Sequence, residues 1–415
     1  MGKQKYLNND NFSVSSPIPV GLSDTALIDP FGRQRVSQVE TIFDSKQIFD
    51  NQPLFFDDQE TAGTGTSSTH SRNTASTVLA VSATTAGTRM RQTFMRFNYQ
   101  PGKGQLILCT GVLDKSGGGT GITRSFGYYD DNNGIFLKDD EGTIKLVVRS
   151  NYTGTPVDTE VEMSNWNLDP VDGTGPSGIT LDFSKAQILY IDFEWLGVGR
   201  VRIGFVVNGL IYYVHEFNHA NIISQVYMSC PNLPIRYEIS NDGTGTASSI
   251  EHICASVMSE GGTDKLGVLR HNKSPSLATL SAGTTYVVMA GRLKDSHFAA
   301  SVLVESVSLV ASSTNDFCEW KLVAGGTVTG TPVFNDFPSS SVQIADGAKT
   351  ITHNNDGIDI DGGFFTSSLP SSVIVPNALR LGADIAGTAQ IFYFVVTPIT
   401  NNITVEAAIT WRELN

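Results

Sequence analysis

The stretch from Gln187 to Phe217 constrains this chain more than any other. QILYIDFEWLG (187–197), VRIGFVV (201–207) and LIYYVHEF (210–217) are rich in β-branched and aromatic residues, and Asn208-Gly209 joins the last two. Asn-Gly accepts the positive φ angles of a type I′ turn, so a two-residue hairpin is predicted here. Its register puts Val207 opposite Leu210, Phe205 opposite Tyr212 and Ile203 opposite Val214 on a face that must be core. The other face pairs Val206 with Ile211, Gly204 with Tyr213 and Arg202 with His215, a mixed set suited to solvent or a partner.

The same alternation recurs along most of the chain. QLILCTGVL (105–113), TIKLVVR (143–149) and IEHICASVM (250–258) read as strands, separated by turn clusters such as SGGGTG and YDDNNG. After a short polar junction, TTYVVMAGRL (284–293), ASVLVESVSLV (300–310), FCEWKLV (317–323), QIFYFVVTPI (390–399) and ITVEAAITWREL (403–414) repeat the pattern. No window carries a helical stripe and no fixed-period repeat appears. The expected fold is all-β: an extended N-terminal arm (1–45), a jelly-roll β-sandwich (46–262) and a second C-terminal β-sandwich or barrel (263–415). The arm is rich in Asn, Ser, Asp and Pro, with only short apolar pieces.

Charge excludes one class of function. Forty-one acidic residues against 28 basic ones give a net charge of −13, the wrong sign for a nucleic-acid surface. No run of ~18 apolar residues marks a membrane span. MGKQKYLNNDNFSVSS has no apolar run behind Lys3 and Lys5, so no secretory leader is expected. Cys109, Cys230, Cys254 and Cys318 lie in or beside apolar runs with no C-x-x-C spacing and read as buried free thiols.

Four constellations invite chemistry. His215-Glu216-Phe217-Asn218-His219 matches the zinc-protease string, which needs both histidines one helical turn apart. On a strand they lie about 13 Å apart at ~3.4 Å per residue, so no metal site is expected. In Ile191-Asp192-Phe193-Glu194-Trp195-Leu196-Gly197, alternation puts Asp192 and Glu194 on one face. That segment resembles the Glu-x-Asp-x-Glu strand of laminarinase-like and xyloglucan-modifying glycoside hydrolases, whose fold is a lectin-like sandwich. Tyr190 stands where that family has its nucleophile, so the covalent step of a retaining mechanism is missing. Asp131 and Asn133 before Gly134 hint at a calcium loop, but Tyr129 and Asp140 occupy its first and last positions, and turn chemistry is the better account. Asp356, Asp359 and Asp361 read as an acidic loop. No catalytic residue, cofactor or metal is assigned. A carbohydrate-binding alternative would use Tyr128, Tyr129, Trp166, Asp192 and Glu194 against a host-surface glycan.

One resemblance spans most of the chain. Asp29-Pro30-Phe31-Gly32-Arg33-Gln34-Arg35-Val36-Ser37, Arg96-Phe-Asn-Tyr-Gln-Pro-Gly-Lys103, Asp172-Gly-Thr-Gly-Pro-Ser-Gly178, Trp195-Leu-Gly-Val-Gly-Arg-Val-Arg202 and the terminal Ile409-Thr-Trp-Arg-Glu-Leu414 resemble a family of virion structural proteins of tailed phages, including environmental and crAss-like phages. The resemblance implies a particle component such as a head fibre, capsid-surface protein or tail appendage, with other virion proteins as partners and a homotrimeric state. It supplies no catalytic residues. On this reading Leu27, Ile28, Phe31 and Val36 are apolar anchors of a docking arm laid across a neighbouring subunit. Arg33 and Arg35, pointing the same way on extended chain, would meet an acidic groove. The arm to residue 45 is expected to be dispensable for folding.

Overall fold

Strand propensity and turn placement dictate the architecture of the computed structural model, which describes residues 28–36, 38–264, 266–274, 279–311, 317–346, 351–366, 371–374 and 380–414. Leu27 and the rest of the first 27 residues lie outside the described residues. The strands run in chain order as β1 (Val39–Lys46), β2 (Phe56–Gly63), β3 (Thr66–Ser71), β4 (Ser76–Val81), β5 (Gly87–Thr93), β6 (Gln105–Ser116), β7 (Ile122–Tyr129) and β8 (Gly134–Asp140). β9 (Thr143–Ser150), β10 (Val157–Glu162), β11 (Gln187–Phe193), β12 (Val201–Val207), β13 (Leu210–Phe217), β14 (Ile235–Asn241) and β15 (Ser248–Glu260) follow. They form two antiparallel sheets, one in the order β13-β12-β11-β6-β15-β4-β3 and the other β10-β9-β8-β7-β14-β5-β2.

Period-two alternation fills the space between the sheets. Leu189, Ile191 and Phe193 of β11 and Ile203 and Phe205 of β12 point inward, meeting Phe126 and Tyr128 of β7 and Ile235, Tyr237 and Ile239 of β14. Phe126 and Tyr237 stack across the interior with ring centroids 5.2 Å apart. This is one continuous core, and the all-β sandwich expected from the sequence is what the chain builds.

The Asn208-Gly209 turn forms with φ of 52° and 79°. Val207 pairs with Leu210, Val206 with Ile211, Phe205 with Tyr212 and Gly204 with Tyr213, as the two-residue closure requires. Beyond Gly204 the register shifts, so that Ile203 faces His215 and Arg202 faces Glu216. The expected Ile203–Val214 and Arg202–His215 pairs are therefore wrong by one residue. A β-bulge is the reason, and it sits at a glycine: a Cβ on Gly204 would lie 2.4 Å from the Tyr212 carbonyl oxygen. Leu210, assigned to the core face, is 61% exposed at the hairpin tip.

The arm is shorter than its composition implies. β15 is long enough to hold two neighbours end to end on one side, β4 against Ser248–His252 and β1 against Cys254–Glu260. β1 is thus an integral strand. Its Phe43 enters the core between Phe56 and Phe97, with centroids 6.0 and 5.0 Å away. Only Phe43 and Ser45 of VETIFDSK are buried, so one aromatic among polar neighbours carries the whole inward signal.

The C-terminal region is a second sandwich. Val268–Lys273, Val405–Leu414, Ser301–Ala311 and Ser371–Ile374 form a four-stranded sheet in that spatial order. A larger sheet built on Tyr286–Leu293, Phe392–Pro398, Phe317–Ala324 and Ile358–Thr366 covers it, and Val302, Leu309, Trp320, Phe394, Ile409 and Trp411 pack between them. The two regions touch: the Ile385 amide donates to Asp57 Oδ2 (2.8 Å) and Asn232 Nδ2 to the Ala299 carbonyl (3.0 Å). Cys109 and Cys318 are buried and Cys230 and Cys254 half-buried, none of them in a disulfide. Among the described residues no helix is long and apolar enough to cross a membrane.

A chain begun at residue 47 loses β1 and the segment before it, whereas one begun at residue 28 keeps both. The shorter chain is expected to melt more than about 5 °C lower, since several kcal/mol of packing leave with Phe43. Thermal melts followed by circular dichroism check this.

Candidate functional site

The outward face of β11, β12 and β13 is the place where the sequence and the structure disagree most. Alternation turns Tyr190 and Asp192 of β11 away from the core, beside Arg202 of β12 and Tyr213 of β13. This face was expected to be near solvent. Instead residues 28–36 lie across it as a strap, folded on itself by a bridge between Ile28 and Gln34. Within the strap Asp29 accepts from the Arg33 amide (2.7 Å) and pairs with its Nε (2.6 Å).

Arg35 fastens the strap to the sandwich. Its Nη2 meets Asp192 Oδ2 at 2.5 Å, its Nε meets Glu260 Oε1 at 2.6 Å, and its Nη1 donates to the Tyr190 hydroxyl at 3.0 Å. Asp192 also accepts from Arg202 Nη2 (2.6 Å) and the Tyr213 hydroxyl (2.5 Å). Arg202 in turn donates to the Ile28 carbonyl (2.7 Å) and lies 4.4 Å from the Tyr213 ring centroid. Arg200 Nε donates to the Pro30 carbonyl at 3.2 Å. The Asp192 and Arg202 side chains are 0% and 1% exposed, so both charges persist in the interior only because each meets the other.

Electrostatics follow from this geometry. Burial pulls the Arg35 pKa down, but Asp192 with Tyr190, Tyr213 and Glu260 outweighs it and holds the guanidinium above its ordinary value. Burial raises Glu260, with Arg35 opposing. The Tyr190 hydroxyl is pushed up to about 12, first by burial and then by Asp192.

The residues proposed for arm docking are thereby relocated. Ile28 is buried and Arg35 ion-paired on the chain's own sandwich, not on a neighbouring subunit. Arg35 does meet an acidic groove, while Arg33 turns back to Asp29 and places its guanidinium 4.4 Å from the Phe31 ring centroid. Val36 is 82% exposed.

The residues proposed for glycan contact are mostly sealed. Tyr128 and Trp166 lie in the main core, where Tyr128 donates to the Phe97 and Pro231 carbonyls and Trp166 stacks on Phe205. Tyr129 is 1% exposed and stacks on Phe136 at 4.2 Å. None of the three stands on an open loop: β7 extends to Tyr129, and Trp166 closes the short 3₁₀ turn Met163–Asn165. Asp192 is spent in the clasp. Glu194 alone keeps partial access. It lies one residue past β11, its Oε1 accepting from the Arg200 amide (3.1 Å), on a shallow cavity shared with Phe31 and His219. The two carboxylates expected as neighbours on one face thus serve different surroundings.

The H-E-x-x-H string is divided as well. His215 ends in β13 with Nδ1 accepting from the Asn167 amide (3.0 Å), and His219 stacks on Tyr227 at 4.2 Å with Nδ1 against the Gly199 carbonyl. Burial lowers both pKa values. Asp131 pairs with Arg236, and the Asn133 amide donates to Asp130 in the turn. Asp356 accepts from the Thr327 amide (2.8 Å) and Asp359 pairs with Lys321 (3.0 Å). Asp361 accepts from the Gly362 amide (2.8 Å). Among the described residues no three His, Cys, Asp or Glu side chains gather to hold a metal. Sequence reasoning missed Tyr190, Arg202, Tyr213 and Glu260 as strap-binding residues, and their only signal was polar or aromatic placement on an outward face.

No protein-family model matches the chain. No curated protein matches it in sequence. Among solved structures it is similar to an endo-1,3-beta-glucanase from Streptomyces sioyaensis, at 10% identity and a TM-score of 0.35 over 54% of this chain and 97% of that one. It is also similar to the CBM2 module of the evolved Dit of Lactobacillus casei BL23 phage J-1 (7% identity, TM-score 0.35, covering 55% and 99%). A legume lectin-like domain from Entamoeba histolytica gives 11% identity and a TM-score of 0.31 over 53% and 98%.

Removing the clasp should cost stability. Arg35→Met leaves Asp192 with one guanidinium, at a cost on the order of 2 kcal/mol, less than for a fully buried pair because Arg35 keeps some water. Adding Asp192→Asn should deepen that loss, because Arg202 is then buried without its carboxylate; denaturant titration of the single and double variants measures it. Glu194 tests the sign of a pKa shift. Burial raises it, so the folded chain binds the proton more tightly than the unfolded one. Its stabilising contribution is complete below the ordinary glutamate pKa and is lost as pH rises through the folded value. Glu194→Gln should therefore melt above the parent at pH 7, with the gap closing in acid.

Proposed function

We propose that this chain is a structural component of a tailed-bacteriophage particle, a head-fibre or other capsid-surface protein that joins the particle through its N-terminal segment and presents its β-sandwiches outward. The supporting observation is the clasp. Asp29-Pro-Phe-Gly-Arg-Gln-Arg, the phrase most characteristic of the virion resemblance, supplies the strap and its Arg35 fastener. A segment pinned by buried ion pairs and continued by β1 transmits load from an anchoring tail into a sheet, which is what a protein bound to a particle by one end requires. Ile48, Phe49, Leu54 and Phe55 are exposed together in the β1–β2 loop, apolar surface of the kind that is buried on assembly. Other virion proteins and further copies of this chain, as a trimer, are the partners of this reading. Its site of action is the virion, and the net charge of −13 leaves no role for nucleic acid.

The protein is not an enzyme on this reading. Hydrolysis of a glycosidic bond needs two carboxyls flanking one sugar linkage. Asp192 is held by three donors beneath the strap, and Tyr190 takes the nucleophile's place.

Particles assembled with a chain lacking residues 1–27 test the proposal. That chain is expected to fold, by circular dichroism, yet be absent from purified particles by mass spectrometry. Incorporation at the full-length level would sink the docking role. The full chain should release no reducing ends from β-1,3-glucan; release abolished by Glu194→Gln would overturn the non-catalytic reading.

A further inference from the structure

We infer that the crease between the two sandwiches is a binding site for a short neutral saccharide. Three of the phrases singled out in the sequence converge there although they lie far apart in the chain. Asn98, Tyr99 and Lys103 come from the first, Trp195 from the second and Leu414 from the third, around a cavity of about 340 Å³. The volume falls at the lower end of small-ligand sites, and a junction between two folded regions is where such sites concentrate.

The aromatic wall is fixed in advance. Trp195 donates its indole Nε1–H to the Met228 carbonyl (2.9 Å), and its backbone amide donates to the Tyr99 hydroxyl (2.9 Å). The two rings meet edge to face at 6.4 Å, and Tyr99 is stacked from behind by Phe193 at 5.6 Å. A ligand therefore finds the rings already oriented and loses little to ordering them.

The polar lining selects the chemistry. Lys103 Nζ is held by Asp264 Oδ2 (2.8 Å), Gln100 Oε1 (3.0 Å) and the Gly262 carbonyl (2.7 Å), so its charge is already balanced. No surplus cation remains for a phosphate or carboxylate, and no surplus anion for a cationic ligand. Asn98 lines the same cavity with an amide that no protein group engages among the described residues. A wholly apolar ligand would strip water from this amide and from the ion pair without replacing it. A sugar ring meets both requirements, with one C–H face for the aromatic wall and hydroxyls that donate to and accept from a carboxamide.

Lys103 lines both the crease and a neighbouring cavity against the strap, but Asn98 and Trp195 take no part in the Asp192 clasp, so variants at these two positions test this inference apart from the proposed structural role. The far wall, with Leu414 and the 70% exposed Leu266, belongs to the second sandwich, so the experiment requires the full chain. Full-length protein is applied to a glycan array of bacterial surface oligosaccharides, beside Asn98→Ala, Trp195→Phe and a distant control, Phe364→Ala. Neutral oligosaccharides should be retained by the parent and the control. Asn98→Ala should weaken them about tenfold, the scale of one unreplaced hydrogen bond, with an unchanged melting curve and unchanged incorporation into particles. Trp195→Phe should weaken them as well. The inference fails if the parent binds nothing above background, if it binds only charged glycans, if both crease variants bind like the parent, or if Phe364→Ala loses binding equally.

Discussion

A carboxylate with no solvent exposure is stable only if its charge is met, and Asp192 is met by Arg35, Arg202 and Tyr213 at once. Taking each ion out of water costs several kcal/mol, which the close charge pairing and hydrogen bonds at Asp192 Oδ2 must offset. Arg35 comes from a segment 157 residues away in sequence. Arg35 therefore joins the N-terminal strap to the outer face of the first sheet by meeting both Asp192 and Glu260 there. This long-range pairing organises the chain's N-terminal half.

The clasp also decides what that face can do. An open sandwich face bearing Tyr190, Asp192 and Tyr213 would resemble a cleft. Under the strap it is interior, and its carboxylate is committed to structure. The same economy appears at β15, where a single strand receives β4 and β1 in succession and so protects its own length from stray pairing.

How much was legible depended on range. The strands of the first core, the Asn208-Gly209 turn and the second β-region followed from alternation and turn chemistry, which are local. The bulge at Gly204 was not foreseen, because an isolated glycine in a strand does not say how pairing resumes, and the Ile203 partner was misassigned. β1 escaped because one buried Phe43 among Glu, Asp and Lys carries almost no period. Tyr128, Tyr129 and Trp166 looked available because they flank turn-rich segments, and only their burial shows that the core had already claimed them. Of the residues proposed for arm docking, Ile28 and Arg35 lie against the chain's own sandwich, a placement set by partners far away in the sequence.

By itself the sequence determined that the chain is β throughout, where its tightest turn lies and which residues of each strand alternate inward, because those properties are set within a few residues by backbone sterics and side-chain period. Only the tertiary structure decided which outward face becomes interior, that Asp192 is neutralised by Arg35, and that Asn98, Trp195 and Leu414 share one crease. Those outcomes depend on charges and surfaces brought together across the length of the chain, and no local pattern encodes a partner that far away.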